Sequence, residues 1–135
     1  MREILFRGKN KLTGGWCEGY LVKTGNHFRI STRNDLISFG VDPSTVGQYT
    51  GRKDKNGKSI FEGDIVRAKL EKGAHAGYEW PLMQIEFRNA AFTLMDKLGR
   101  SFCTLAALAP NVELEVLGNV QDNSELIGGV IDENA

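Results

Sequence analysis

Ile60-Phe61-Glu62-Gly63-Asp64-Ile65-Val66-Arg67-Ala68-Lys69-Leu70 is the stretch on which the fold turns. Two apolar residues run into a tight Glu-Gly-Asp bend, and the chain leaves it as a strand, Ile65 to Leu70. A Gly-Asp step feeding a strand commonly opens a small barrel. Downstream comes a loop, Glu71 to Pro81, with Gly73 and Gly77 as turning points. Leu82 to Arg88 then places Met83, Ile85 and Phe87 on one face, and Phe92 to Met95 and Ser101 to Thr104 follow. Asn89-Ala90-Ala91 and Lys97-Leu98-Gly99 separate these strands. Leu105 to Ala109, stopped by Pro110, fits one helical turn, and Leu114, Val116 and Val120 mark a closing strand. Strand, long loop, three strands, helical turn and strand is the order of an SH3-like small β-barrel, expected over 59–121.

Upstream, Glu3 to Arg7 and Trp16 to Lys23 read as a β-hairpin around Asn10-Lys11-Leu12-Thr13-Gly14-Gly15. Trp16, Glu18, Tyr20 and Val22 share one face of its second strand and Cys17, Gly19 and Leu21 the other, so Glu18 marks an incompletely buried surface. Thr24-Gly25-Asn26 turns the chain into a strand, His27 to Ser31. Ser31 to Ser44, broken at Asn34-Asp35 and Asp42-Pro43, reads as a loop carrying one helical turn. Val46, Gln48 and Thr50 suggest a brief strand, reversed at Asp54-Lys55-Asn56-Gly57, where Asn and Gly tolerate positive φ. After Asp122-Asn123-Ser124 a short helical turn to Ile127 is broken by Gly128-Gly129, and Asp132-Glu133-Asn134-Ala135 is expected to fray. The fold class is mainly β with one or two short helical turns. The organisation is an N-terminal β region over 1–58, the barrel over 59–121 and an acidic tail over 122–135.

With 135 residues, 41% hydrophobic and 25% charged, the chain can bury a globular core. Its longest apolar run, Leu105 to Ala109, is far short of the ~20 residues that cross a bilayer, and Met1-Arg2-Glu3-Ile4 opens no signal peptide. A soluble, intracellular protein with no membrane partner is expected. Cys17 and Cys103 have no His or Cys at ligand spacing and read as buried thiols. Net charge is zero, but residues 1–60 hold eleven Lys/Arg against five Asp/Glu and residues 61–135 six against twelve. That split fits a basic surface for nucleic acid, internal pairing of the halves, or complementary surfaces joining copies.

Several motifs imitate chemistry without completing it. Gly51 to Ser59 ends in Gly-Lys-Ser, but five residues separate its glycines where a P-loop has four, and a strand follows instead of a helix. Aligned as a calcium loop on Gly57, it puts Arg52 at the first ligand and Gly63 at the bidentate one. Glu62 and Asp64 flank a turn, where Asp accepts backbone hydrogen bonds. His27 and His75 have no second ligand or nucleophile nearby in sequence. No catalytic, metal-binding or cofactor-binding residue is assigned and no cofactor is expected. Arg52, Lys53, Lys55 and Lys58 form a basic loop, a candidate nucleic-acid or partner contact weighed against a solvated turn; Arg2, Arg7, Lys9 and Lys11 add charge. Trp16, Tyr20, Tyr49, Tyr78 and Trp80 are candidate stacking residues. Phe6, Trp16, Tyr20 and Phe28 are candidate interface aromatics.

Arg2-Glu3-Ile4-Leu5-Phe6-Arg7-Gly8-Lys9, Trp16-Cys17-Glu18-Gly19-Tyr20 and Thr45-Val46-Gly47-Gln48-Tyr49-Thr50-Gly51, followed by Asp54-Lys55-Asn56-Gly57-Lys58 and Ile60 to Val66, resemble the YopX family of phage and prophage proteins. Gly118-Asn119-Val120 and Asn123-Ser124-Glu125-Leu126 resemble its C-terminal signature, with Ser124 standing where that signature has Pro. The resemblance spans residues 2–126, with 67–116 matching only in strand pattern. It implies a mainly β fold with a barrel in the second half, a phage or prophage origin and expression in the bacterial cytoplasm. It carries over no catalytic residue; Gly51, Gly57, Gly63, Asp54, Asn56 and Asp64 read as turn and strand-start devices.

The expected function is therefore that of a non-enzymatic accessory protein acting through protein contacts, as a homo-oligomer or with a phage or host protein. The alternatives are nucleic-acid binding through the basic first half and an enzyme whose site assembles only in the fold.

Overall fold

The computed structural model describes residues 3–32 and 37–128; the features read at Arg2, Asn34-Asp35, Gly129 and 132–135 lie outside the described residues. The chain is mainly β and divides into two compact units, residues 1–51 and 52–135.

The first unit holds β1 (Phe6–Lys9), β2 (Trp16–Thr24), β3 (His27–Ser31), β4 (Ser38–Val41) and the start of β5 (Gly47–Lys53). All the pairings are antiparallel. β1 lies between β2 and β5, and β3 lies between β2 and β4. Asn10 organises the first turn, its side-chain oxygen accepting from the Leu12 amide at 2.8 Å. β2 pairs with β1 through Trp16–Gly19 and with β3 through Tyr20–Thr24, so it changes partner in mid-strand. Gly19 stands at that change of partner, where an added Cβ would lie 1.9 Å from the Ser31 carbonyl oxygen. A glycine inside a strand marks such a close backbone approach. β4 lies in the stretch expected to be loop. Its pattern is weak locally, but Phe39 and Val41 stand opposite Ile30 and Phe28, and Ile30 and Val41 are fully buried. The outer edge of β4 is covered by the chain after β1: the Lys11 amide donates to Gly40 O and the Asp42 amide to Lys9 O, each at 2.9 Å. The expected helical turn is Pro43–Thr45, capped by Asp42, whose carboxylate accepts from the Ser44 amide at 3.0 Å.

The second unit holds the end of β5, then β6 (Ser59–Phe61), β7 (Asp64–Leu70), β8 (Met83–Arg88), β9 (Ala91–Met95), β10 (Ser101–Thr104) and β11 (Val112–Asn119). The two sheets run β4-β3-β2-β1-β5-β6 and β10-β9-β8-β7-β11. Alternation sends Val66 and Ala68 of β7, Met83 and Ile85 of β8, and Leu94 of β9 into one core with Ile60, Leu105, Val112 and Leu114. The Glu62-Gly63-Asp64 bend ties this unit together. Asp64, only 1% exposed, accepts from the Phe61 amide at 2.7 Å; Gly63 donates to Ile85 O and accepts from the Val120 amide. A 3-10 turn, Leu105–Ala107, precedes β11 and is capped by the Thr104 hydroxyl. A second 3-10 turn, Ser124–Ile127, ends at Gly128. Asn123 does not cap that turn; its side chain turns back to accept from the Asn119 amide.

The five strands of the stretch expected to form an SH3-like barrel make an antiparallel sheet that is not closed into a ring. β10 and β11 are its outer strands. β10 has four residues and a register shift between Ser101 and Cys103. The far edge of β11 is occupied by another segment, since the Lys55 amide donates to Leu114 O at 2.9 Å and Asp54 accepts from the Val116 amide at 2.9 Å. Among the described residues no helix is long and apolar enough to cross a membrane.

The β8–β9 connection is a two-residue loop closed by the Arg88–Ala91 pair, with Asn89 at φ 51° and Ala90 at φ 65°. Such loops require positive φ at both positions, which costs an alanine about 1–2 kcal/mol. Glycine removes that cost but adds roughly 0.5–1 kcal/mol of unfolded-chain entropy. Ala90→Gly is therefore expected to raise stability by about 0.5–1 kcal/mol, read as an upward shift of the urea midpoint at unchanged m.

Candidate interaction surfaces

The basic loop is a rigid edge cover. Asp54, 8% exposed, accepts from the Asn56 and Lys58 amides through Oδ1 and from the Val116 amide through Oδ2, each at 2.9 Å. Its own amide donates to Lys58 O at 2.8 Å, closing the turn. Burial alone would raise the Asp54 pKa; the Val116, Lys58 and Asn56 amides and the Lys58 charge outweigh it and hold the carboxyl below its usual range. The turn reading of Asp54-Asn56-Gly57 extends to a long-range bond, because Val116 lies 62 residues away.

Lys53, Lys55 and Lys58 are exposed. Arg52 is half-buried, with Nη1 donating to Leu105 O at 3.2 Å. Glu115 lies close by, paired with Arg67 at 2.7 Å, and its pKa is lowered first by that hydrogen bond and also by the Arg67 and Lys55 charges. Because the loop belongs to the second unit, the charge contrast shrinks. Residues 1–51 carry seven Lys/Arg against four Asp/Glu, and residues 52–135 ten against thirteen.

The four aromatics expected to form one interface lie on two faces. Register puts Phe6 opposite Gly19 and Phe28 opposite Lys23, on the face shared with Cys17, Leu21 and Ile30. Trp16 and Tyr20 lie on the other face. The Arg7 guanidinium carbon sits 4.7 Å from the centre of the Trp16 ring and Lys9 Nζ 5.4 Å from it, while Tyr20 is 42% exposed.

Sequence reading marked Tyr78 and Trp80 but missed their partner. The Tyr78 and Trp80 rings meet edge-on at 4.9 Å, and Phe102 tilts against Trp80 at 5.5 Å. Trp80 packs on the core, whereas Tyr78 is 52% and Phe102 44% exposed. Phe87 and Phe92 form a second pair at 5.1 Å. That pair was open to inference, because a two-residue loop at Asn89-Ala90 sets them directly opposite each other.

The thiols, expected to be buried, are half-buried, because Cys17 lies on a partly covered face of β2 and Cys103 in the short outer strand β10. Burial raises the pKa of both, with Arg52 partly opposing the rise at Cys103, and Cys17 Sγ donates to Gly8 O at 3.4 Å. Cys103 lines a shallow recess of about 260 Å³ with Arg88, Asn89, Thr93 and Ser101. His27 and His75 are exposed. Among the described residues no three His, Cys, Asp or Glu side chains are grouped to hold a metal ion.

These features define a two-unit, mainly antiparallel β protein whose buried carboxylates serve as backbone-binding devices. The chain belongs to the YopX family: the family model, described as YopX protein, matches residues 6–128. Among solved structures it is similar to the crystal structure of protein EF1440 from Enterococcus faecalis, with 21% identity and a TM-score of 0.56, covering 94% of this chain and 99% of that one. That likeness is one of fold. No curated protein matches the chain.

Proposed function

We propose that this is a non-catalytic accessory protein of phage or prophage origin that works through protein contacts, as a homo-oligomer in the bacterial cytoplasm. The observation that carries this reading is the Tyr78–Trp80–Phe102 cluster, where two exposed rings are braced on a third that is anchored in the core. Rigid aromatics lose little side-chain entropy on binding and dominate contact energies. The order β10-β9-β8-β7-β11, with a 3-10 turn directly before the last strand, supports an SH3-like reading of the second unit. Family membership supports the phage setting.

Light scattering coupled to size exclusion, at low and high salt, tests it. An oligomer that survives high salt is expected, because apolar burial is not screened. The exposed double variant Tyr78→Ser/Phe102→Ser is expected to shift it to monomer without lowering the melting temperature. A wild-type monomer at both salts defeats self-association, and an oligomer unchanged in the double variant defeats the aromatic interface.

A further inference from the structure

We infer that the outward face of β1-β2-β3 is a binding site for single-stranded nucleic acid, with Tyr20 as a base-stacking residue and Lys9, Arg7 and Arg29 as phosphate contacts. This goes beyond the protein-contact reading and stands independently of it. Strand alternation puts Trp16, Glu18, Tyr20 and Val22 on one face of β2, and register sets Lys9 beside Trp16, Arg7 beside Glu18 and Arg29 beside Val22. Cations and rings therefore alternate along one stripe. From Trp16 to Val22 the stripe runs about 20 Å, length for roughly four to six nucleotides.

The stripe has built parts. Trp16 holds Arg7 and Lys9 over its ring, so both cations are placed before any ligand arrives. Arg29 is exposed yet fixed, with Nε donating to Ser38 Oγ and Nη2 to Ser38 O, each at 3.0 Å. Tyr20 and Val22, 42% and 44% exposed, offer apolar contact between those cations. Among the described residues of the stripe, Glu18 is the single carboxylate against three cations.

Charge complementarity favours a polyanion here over a second copy of the chain, and the aromatic interleaving favours unpaired bases. The loop with Arg52, Lys53, Lys55 and Lys58, read from sequence as a candidate phosphate contact weighed against a solvated turn, is the weaker candidate. Arg52 donates to Leu105 O and Glu115 offsets Lys55.

The test is fluorescence anisotropy of the full chain with labelled oligothymidylate of about 16 nucleotides and with a duplex of equal length, between about 50 and 200 mM salt. Wild type is expected to bind the single strand more tightly than the duplex, weakening steeply with salt. Tyr20→Ala and Arg29→Ala are each expected to weaken binding about tenfold, and Arg29→Ala also to reduce the salt slope. Lys53→Ala/Lys58→Ala is expected to bind as wild type does. Unchanged melting temperatures establish that the variants fold. The inference is overturned by no binding at the lowest salt, by equal preference for duplex, or by a larger loss in the loop variant than in the stripe variants. Tyr20→Ala that dissolves an oligomer without affecting oligonucleotide binding also overturns it, making the face an interface between copies.

Discussion

Gly19→Ala is expected to destabilise the protein by about 4 kcal/mol or more, at the extreme of single-substitution effects. An added Cβ would stand 1.9 Å from Ser31 O and 2.9 Å from Ser31 C, both backbone atoms. Neither can turn aside as a side-chain tip would. Relief requires β2 and β3 to part at Tyr20–Ser31, next to the point where β2 takes up its second partner, and the fully buried Ile30 moves with them. Gly25→Ala is the control: its φ is +60° but nothing lies within 4 Å, so only the left-handed backbone penalty of about 1–2 kcal/mol applies. Urea denaturation of both variants separates steric collision from conformational preference. Equal losses would show that the β2–β3 approach is looser than described.

Asp54→Ala is expected to cost about 3–4 kcal/mol at neutral pH. Three backbone amides lose one anionic acceptor, and hydrogen bonds to charged groups contribute about 1.5–3 kcal/mol each before water at the sheet edge compensates part of the loss. Asp54→Asn keeps one acceptor oxygen and should fall between. The pH dependence follows from the lowered folded pKa of Asp54. Its contribution is complete above the unfolded carboxyl value near about 3.9 and is lost as pH falls through the folded value. Asp42, Asp96 and Glu115 are shifted the same way, so wild type should weaken broadly in acid. The gap between wild type and Asp54→Ala isolates the one group. Measured by melting from pH 7 to about pH 3, that gap is expected to narrow below about pH 4. A gap constant with pH would assign the loss to shape and not to charge. The variant also uncovers the β11 edge, and an exposed strand edge is a template for association. Increased aggregation of Asp54→Ala, absent in Asp54→Asn, would accompany the stability loss.

Local chemistry was enough to mark the strands of the second unit, the Glu62-Gly63-Asp64 bend, the Asp54-Asn56-Gly57 turn and the 3-10 turn before β11. Each rests on residues within a few positions of one another: period-2 alternation, glycine at positive φ, or an Asp beside the amides it accepts from. Tertiary structure decided the rest. β4 exists because Phe39 and Val41 meet Ile30 and Phe28, which no local period announces. The basic loop is an edge cover because Asp54 reaches Val116 and Arg52 reaches Leu105, 62 and 53 residues away. Counted with the unit to which it belongs, the loop halves the apparent charge contrast. The aromatics divide between two faces because alternation sets Trp16 and Tyr20 on one side of β2, while the registers of β1 and β3 bring Phe6 and Phe28 to the other. A sequence encodes which residues prefer to turn or extend, whereas which edge is covered and which face stays wet depends on what a distant segment brings against it.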